Sequence, residues 1–411
     1  MKILVVHNSY KRPGGEDVVV RRESELLRAA GHQVVTYFRH NEEIEESSLL
    51  AKIAAGSKTI WAHDSYSDLA TLLKQEKPNL AHFHNTLPLI SPSAYYACLN
   101  ANVPVVQTLH NYLLLCAAGT LFRNGHICED CLGHGLWRGV KHGCYRDSRA
   151  GTAAVALMLT AHRAFGTWGR AVSCYIAISE VVRKRFIAQG LSGKSVFVKQ
   201  NFVDPDPSER SDPGGYAVFV GRLSPEKGLR TLIAAWAELS IRIPLVIVGD
   251  GPLREELEQE VIRRNLHDIR FEGHVPQEKT PAIMKGARFL VFPSELYEPF
   301  GLAIVEAFAC GVPVVCSALG AMSDLVADRQ TGLHFVPGNP ADLRAKLEWA
   351  WTHTKEMEAM GHAARIEYEE KYTASENYRI LMMVYEFALR GRDSNEKVTP
   401  PLGPAYVAAQ E

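Results

Sequence analysis

Two cations five residues apart in one loop motif are the first feature with chemistry in it. Gly221-Arg222-Leu223-Ser224-Pro225-Glu226-Lys227-Gly228 lies between an apolar run and a segment of helical spacing. That placement brings Arg222 and Lys227 out together from the carboxyl end of a strand. A guanidinium and an ammonium so placed can hold a diphosphate and stabilise the charge that grows on it as it leaves. In isolation the pair reads equally well as two solvated surface cations.

Two further motifs follow. Gly249-Asp250-Gly251-Pro252 closes the next apolar run. Its glycines permit a tight turn and Pro252 suits the first turn of a helix, but the third glycine of the dinucleotide-binding fingerprint is missing. The strongest local signal is Glu298-Pro299-Phe300-Gly301-Leu302-Ala303-Ile304-Val305-Glu306. Glu298 sits just before a helix and Glu306 about two turns inside it. Gly301 and Leu302 open that helix, where a glycine lets a ligand approach and unbonded N–H groups suit a phosphate. One carboxylate can then accept hydrogen bonds from sugar hydroxyls and the other from ribose hydroxyls. Spacing alone favours a plainer reading, an N-terminal acid favoured by the helix dipole plus an exposed helical glutamate.

The elements that must position these residues come in two series. In the first half, apolar runs at 3–7, 33–38, 80–84, 103–108 and 174–178 read as buried strands, with a helix over 18–30. Apolar runs separated by helices indicate a parallel sheet covered on both faces. The stretch 201–215 breaks the pattern with three prolines and two glycines and reads as a linker. A second series begins at once, with strands at 216–220, 245–248, 269–272, 289–292 and 314–316 and helices around 229–239, 253–265, 302–309 and 341–351. The predicted fold is α/β, two doubly wound Rossmann-like domains facing across a cleft, with ligands beyond the carboxyl ends of the strands. The expected boundaries are 1–203 and 204–371, then a helix at 372–391 packing back toward the first domain and a disordered tail at 392–411.

Composition excludes several classes. Of 411 residues, 46% are hydrophobic and 22% charged, with a formal net charge of -1. That is a soluble globular composition of two-domain length, without the basic excess of a nucleic-acid binder. The longest apolar stretch, 153–161, falls short of the roughly 20 residues that span a bilayer. The N-terminal run reads as a strand rather than a secretory leader, so the expected location is the cytoplasm, at most peripheral to the inner face of the membrane.

The order of the motifs decides between the readings. Gly-Arg-Leu-x-x-x-Lys-Gly, Gly-Asp-Gly-Pro, Phe292-Pro293-Ser294, Glu-x7-Glu and Gly311-Val312-Pro313-Val314-Val315, in that sequence, resemble the family 4 glycosyltransferases. The resemblance covers nearly all of 216–350 and extends more loosely to the first half. There Gly14-Gly15-Glu16 looks like the family's glycine loop, His110 stands where such enzymes carry an active-site histidine, and Asn201-Phe202-Val203-Asp204 is similar to the junction motif. The resemblance implies the two-domain GT-B architecture and a retaining transfer of a sugar from a nucleoside-diphosphate donor to a saccharide or lipid-linked acceptor. It implies that Arg222 and Lys227 bind the diphosphate, Glu298 the transferred sugar and Glu306 the ribose. It further implies that the Gly15 backbone approaches the phosphates, with Gly251, Gly301 and Leu302 completing the donor site. His110, Glu298, Arg222 and Lys227 are the expected catalytic set, with no cofactor or divalent metal required. At Gly320-Ala321-Met322-Ser323-Asp324 only the first of the family's two glycines is kept, and Asp324 stands for a glutamate. A sugar-nucleotide epimerase of the same fold and a non-catalytic sugar-nucleotide-binding protein are the alternatives.

Other residues carry weaker signals. His7, His82 and His84 lie at strand ends as cleft lining or structural groups, and Asn85 and Asn111 offer hydrogen bonds to acceptor hydroxyls. Arg21, Arg22 and Arg28 on the first helix, with the basic and apolar run 181–186, suit contact with a membrane that presents a lipid-linked acceptor. A solvated helix face is the alternative. Finally, Cys116, Cys128, Cys131 and Cys144 crowd into the insertion 112–150, which has many glycines and few apolar residues. Four thiolates around one Cys-x-x-Cys knuckle are a candidate structural zinc set, with His126, His134 and His142 as spare ligands. Two disulfides or four thiols are the other readings.

Overall fold

Alternate winding of short apolar strands and helices builds two separate units in the computed structural model, which describes residues 1–11, 14–44 and 56–393. The first unit comprises 1–119, 130–199 and the chain from 378 onward; the second comprises 120–129 and 200–377. The tail expected to be disordered lies outside the described residues from 394 on.

In the first unit, six strands form one sheet: β1 (Lys2–Ser9), β2 (Gln33–His40), β3 (Leu80–Phe83), β4 (Val105–Leu109), β7 (Cys174–Ala177) and β8 (Val196–Val198). Their order is β2-β1-β3-β4-β7-β8 and every pairing is parallel. The order reverses between β1 and β3, the switch point of a doubly wound sheet, where ligands bind beyond the strand ends. The intervening hairpin of β5 (Phe122–Arg123) and β6 (His126–Ile127) is antiparallel and groups with the second unit.

Helix α1 (Gly15–Ala29) buries Val19, Val20, Glu23, Ser24 and Leu27 along one stripe, the spacing of an amphipathic helix. Helices α2 (His63–Glu76), α3 (Ser93–Asn100), α4 (Trp137–His142), α5 (Arg149–Ala164) and α6 (Glu180–Ala188) follow. Ile3, Val5, Val20, Leu27, Leu80, Val106 and Ile176 form the core, together with Leu381, Val384, Tyr385 and Ala388 of the last helix. Burying each large aliphatic side chain contributes about 1.5–3 kcal/mol.

The second sheet comprises β9 (Tyr216–Val220), β10 (Leu245–Val248), β11 (Ile269–Gly273), β12 (Ala287–Phe292), β13 (Val314–Ser317) and β14 (Gly332–Phe335). Its parallel order, β11-β10-β9-β12-β13-β14, is the Rossmann 3-2-1-4-5-6 arrangement with its switch point between β9 and β12. Around it pack α7 (Leu229–Ala237), α8 (Arg254–Arg263), α9 (Leu302–Ala309), α10 (Ala321–Leu325), α11 (Pro340–Thr352) and α12 (Thr354–Lys371). The final helix, α13 (Ala374–Asp393), passes from the second unit into the first at Tyr378.

The stretch 201–215, read from its prolines and glycines as a linker, follows the unit boundary at 199/200 and is tied down on the second unit. Val203 N–H donates to the Tyr372 carbonyl at 3.1 Å, and Arg210 N–H to that of Cys310 at 3.0 Å. The Arg365 guanidinium donates to both oxygens of Asp206, each at 2.7 Å. Prolines restrict a chain locally without making it mobile; the Arg365 partner of Asp206 lies 159 residues away and was invisible to composition.

The insertion also differs from its reading. Its own apolar residues are few, but Leu113, Leu114, Ala117, Cys131, Leu136, Val140 and Tyr145 pack on Leu87 and on Val155, Ala156, Met158 and Leu159. The missing half of this core is helix α5, beyond the segment. Ser148 starts that helix by accepting from Gly151 N–H at 3.0 Å.

Candidate functional site

The second unit gathers its candidate residues at the switch point. The loop after β9 presses against the one after β12. Gly228 has φ +68°, and a Cβ there would stand 1.9 Å from the Pro293 carbonyl oxygen. Only glycine permits that approach, which fixes Lys227 one residue earlier. The Lys227 ammonium donates to Glu298 Oε1, which also accepts from Ser294 Oγ at 2.7 Å. Lys227 Nζ lies 5.7 Å from the Phe292 ring centroid. Glu298 is buried and Lys227 partly so, so their attraction is less screened than at an open surface. Arg222, two residues beyond β9, is exposed.

A second close approach shapes the Gly-Asp-Gly-Pro turn. Gly249 has φ +135°, and a Cβ there would fall 1.9 Å from the Gly221 carbonyl oxygen. The turn carrying Gly251 is thereby held against the start of the Arg222–Lys227 loop, with Leu223 N–H donating to the Asp250 carbonyl at 3.0 Å.

Gly301 is the N-cap of α9 and Leu302 its first helical residue. The first N–H groups of a helix lack intrahelical acceptors and carry its partial positive charge. Glu306 lies further along α9, half-buried, and accepts from Gln277 Nε2 at 3.4 Å. At the departure from the family pattern, Gly320 has φ +59° and precedes α10, and Ala321 N–H donates to the Glu298 carbonyl at 3.3 Å. The one retained glycine therefore serves the backbone of the key glutamate. Asp324 is exposed on α10.

The first unit places a polar cluster at its own switch point. Strand alternation puts His82 and His84 on one face of β3 and Phe83 on the other. The two imidazoles stand 4.2 Å apart between centroids, while Phe83 packs on Tyr95 at 4.8 Å. His7, near the end of β1, donates from Nε2 to Asp17 Oδ1 at 3.0 Å. Asn8 N–H donates to the Asn85 carbonyl at 2.9 Å. His84 Nδ1 lies 2.9 Å from His110 Nε2. A small recess opens here, lined among others by Glu16, His84, Asn85, His110 and Asn111. Burial pushes the His110 imidazole down to about 3 and holds that of His84 well below its ordinary value, so both are neutral at physiological pH.

Sequence reasoning missed the residues behind this cluster. Glu23, on α1, and Lys199, just after β8, form an ion pair at 2.6 Å with both side chains no more than 2% exposed. The signal for Glu23 was present, since a charge stood inside the apolar stripe Val19, Val20, Ser24, Leu27. Lys199 follows β8, a three-residue strand too short for its pattern to stand out.

Gly15 is exposed in the first turn of α1. Its surroundings are acidic: Asp17 accepts from Gly14 N–H at 2.8 Å, and Glu16 from the Tyr10 hydroxyl at 3.0 Å. Burial pushes the Glu16 carboxyl up to about 7. The four cysteines of the insertion divide between the units, Cys116, Cys131 and Cys144 in the first and Cys128 in the second. Cys116, Cys131 and Cys144 of the first unit do not bring three ligand atoms within 4.8 Å; among the described residues only Glu23, His82 and His84 converge so closely, and Lys199 already neutralises that carboxylate. Cys131 Sγ instead packs over Gly139 of α4. The basic-apolar run on α6 turns Val182 and Phe186 into the core, with Phe186 stacked on Tyr112. Of its cations, Lys184 is exposed, while Arg183 donates to the Val196 carbonyl and to Glu180 Oε1, each at 3.1 Å.

Comparison with known proteins accounts for both halves. Residues 13–207 match the family described as Glycosyltransferase Family 4, and residues 203–367 match Glycosyl transferases group 1. The glycogen synthase of Mycobacterium tuberculosis is 30% identical over 412 residues, covering 89% of each chain. The chain belongs to the family 4 glycosyltransferases. Shorter matches to family members include the D-rhamnosyltransferase WbpZ of Pseudomonas aeruginosa, 34% identical over 39% of this chain and 42% of the relative. The O-antigen chain mannosyltransferase B of Escherichia coli is 31% identical over 41% and 46%. The chain thus spans less than half the length of these two relatives. Sucrose-phosphate synthase from Thermosynechococcus elongatus superposes with a TM-score of 0.71, at 17% identity over 95% of this chain and 99% of that one. Anabaena Alr3699/HepE, solved in complex with UDP, gives 0.69 at 19% identity over 94% and 100%. At these identities the likeness establishes the GT-B fold. No helix among the described residues is long and apolar enough to cross a membrane.

Proposed function

We propose that the chain transfers a sugar from a nucleoside-diphosphate sugar to a saccharide or lipid-linked acceptor, with retention of anomeric configuration. The observation that carries the donor half is the pairing of Lys227 with a buried Glu298 at the switch point of a Rossmann-ordered sheet. In this reading, Arg222, Lys227 and the N–H groups at Gly301 and Leu302 take the diphosphate, and Glu306 takes the ribose. Glu298 accepts from hydroxyls of the transferred sugar, and the turn at Gly251 completes the donor pocket. The Gly15 backbone adds to the phosphate contacts, and His110 works beside the transferred sugar. Charge growing on the departing diphosphate meets preorganised cations and dipoles, the largest single source of rate enhancement in such sites. The complexes of the Anabaena relative support a uridine nucleotide as the first donor to try. A saccharide acceptor in solution requires nothing further.

A thermal-shift screen of uridine, guanosine and adenosine diphosphate sugars tests the reading, because a ligand bound only by the folded state stabilises by mass action. Transfer from the stabilising donor to a saccharide, with the product anomer read by NMR, completes the test. Donor epimerisation without acceptor, or binding with no turnover, would replace it with one of the other two readings.

A further inference from the structure

We propose that Glu23 and His84 are positioning residues that fix the tautomer of His110, placing its proton on Nε2 and leaving Nδ1 as a hydrogen-bond acceptor for a sugar hydroxyl. The last clause rests on the reading of His110 as a residue of the transfer site; the tautomer itself does not.

The chain of reasoning starts at the buried end. Lys199 Nζ lies 2.6 Å from Glu23 Oε2, with both side chains almost fully enclosed. The ammonium holds the Glu23 carboxyl well below its ordinary value against the opposing effect of burial. Glu23 is therefore an anion and can only accept. Its other oxygen, Oε1, stands 3.1 Å from His82 Nδ1 and 3.6 Å from His84 Nε2. His82 is already engaged at both nitrogens, with the Tyr385 hydroxyl at 2.8 Å and the Thr108 hydroxyl at 2.7 Å.

His84 Nε2 is buried without a hydrogen-bond partner and faces Glu23 Oε1, whose nearer neighbour is His82 Nδ1. At 3.6 Å this is a charge contact rather than a hydrogen bond. It still selects a tautomer. A nitrogen lone pair turned toward a buried carboxylate is repelled, whereas an N–H is attracted, and low local dielectric sharpens the difference. His84 thus carries its proton on Nε2. Being neutral, it presents a lone pair at Nδ1, 2.9 Å from His110 Nε2. Two lone pairs cannot share that distance, so His110 Nε2 donates. His110 is neutral too, and its Nδ1 is left as the acceptor in the recess it lines. A buried ion pair is a weak device for stability; setting the direction of this relay gives Glu23 and Lys199 a use at their depth.

The experiment is a two-bond ¹H–¹⁵N correlation spectrum of full-length protein labelled at histidine. His110 is assigned by the signals lost in His110→Ala. The expected wild-type result is a protonated Nε2 and a bare Nδ1, seen without any sugar or nucleotide present. In Glu23→Gln the new amide can donate to His84 Nε2, reversing the relay, and His110 should appear protonated at Nδ1. His84→Phe leaves the Glu23–Lys199 pair intact and should give a mixture of both tautomers. A wild-type His110 protonated at Nδ1 overturns the proposal, as does an unchanged His110 pattern in either variant. If Glu23→Gln does not fold, the wild-type and His84→Phe spectra decide. Because the readout needs no turnover, failure of the transfer reading and failure of the relay are distinguishable.

Discussion

Lys227 and Glu298, 71 residues apart, form an ion pair where the strand order of the second sheet reverses, one from the loop after β9 and the other from the loop after β12. The sheet order brings their loops together, and the close approach of Gly228 to Pro293 sets their spacing. The cation is therefore held in place before any diphosphate arrives. Lys227→Ala and the exposed Arg222→Ala should each lower sugar transfer by roughly 100-fold or more, the scale for one preorganised charge-stabilising donor. Far-UV circular dichroism should be unchanged in both. Near-normal turnover in either variant would remove that residue from the site.

Glu298→Gln separates sugar recognition from nucleotide recognition. The amide keeps an oxygen for Ser294 but loses the charge that faces Lys227. Transfer should fall while affinity for the bare nucleoside diphosphate stays the same or rises, since Lys227 is released to the diphosphate. Calorimetry with the nucleotide, set beside transfer rates, checks this. A matching loss of nucleotide affinity would move Glu298 from the sugar to the nucleotide.

Much of this was legible in the sequence where cause and effect lie close along the chain. The Arg222–Lys227 loop and the Glu298–Glu306 segment announce themselves because strand, turn and helix each obey local rules within about ten residues. The first helix was legible in its apolar pattern, although α1 begins at Gly15, three residues earlier than that pattern suggests. What escaped depends on distant pairing. Glu23 needs Lys199, 176 residues on, before its place in an apolar stripe makes sense. Asp206 needs Arg365, 159 residues on, before the hold on its proline-rich stretch can be seen.

The buried Glu23–Lys199 pair gives a stability prediction. Lys199→Met leaves an anion enclosed without its cation and should destabilise the chain by about 3–5 kcal/mol. The double variant Glu23→Gln, Lys199→Met removes both charges and should recover most of that loss. Urea unfolding of the single and double variants reads the difference. Additive losses in the double variant would show that the two charges do not act on one another.

Glu16 supplies a pH signature. Burial raises its folded-state carboxyl from 4.5 to about 7, so the folded chain keeps a proton that the unfolded chain releases. The associated stability is fully present below pH 4.5 and is lost as the pH rises through about 7. Glu16→Gln keeps an acceptor for the Tyr10 hydroxyl and removes the titration. The wild-type melting temperature, taken relative to Glu16→Gln, should therefore fall across that window. Parallel curves from pH 4.5 to 7 would mean that Glu16 is as well solvated in the folded chain as in the unfolded one.

Transfer should not depend on a divalent ion at the diphosphate. Metal-assisted transfer needs paired carboxylates at a strand end to hold the ion against the phosphates. The sequence has one Asp-x-Asp, Asp204-Pro205-Asp206, and it stands away from every strand end. Asp206 is already clamped by both nitrogens of the Arg365 guanidinium at 2.7 Å. The charge that a metal would neutralise falls instead to Arg222, Lys227 and the amino end of α9, which together offer two full positive charges and a helix dipole. Magnesium would have little to add there, because it binds through carboxylates as well as phosphates and the nearest buried carboxylate, Glu298, is committed to Lys227 and Ser294. After dialysis against a chelator, the rate at saturating donor should stay within about twofold of the untreated rate, well under the tenfold that corresponds to 1.4 kcal/mol. A rate abolished by the chelator and restored by magnesium or manganese, but not by added salt, would show that these cations do not complete the clamp.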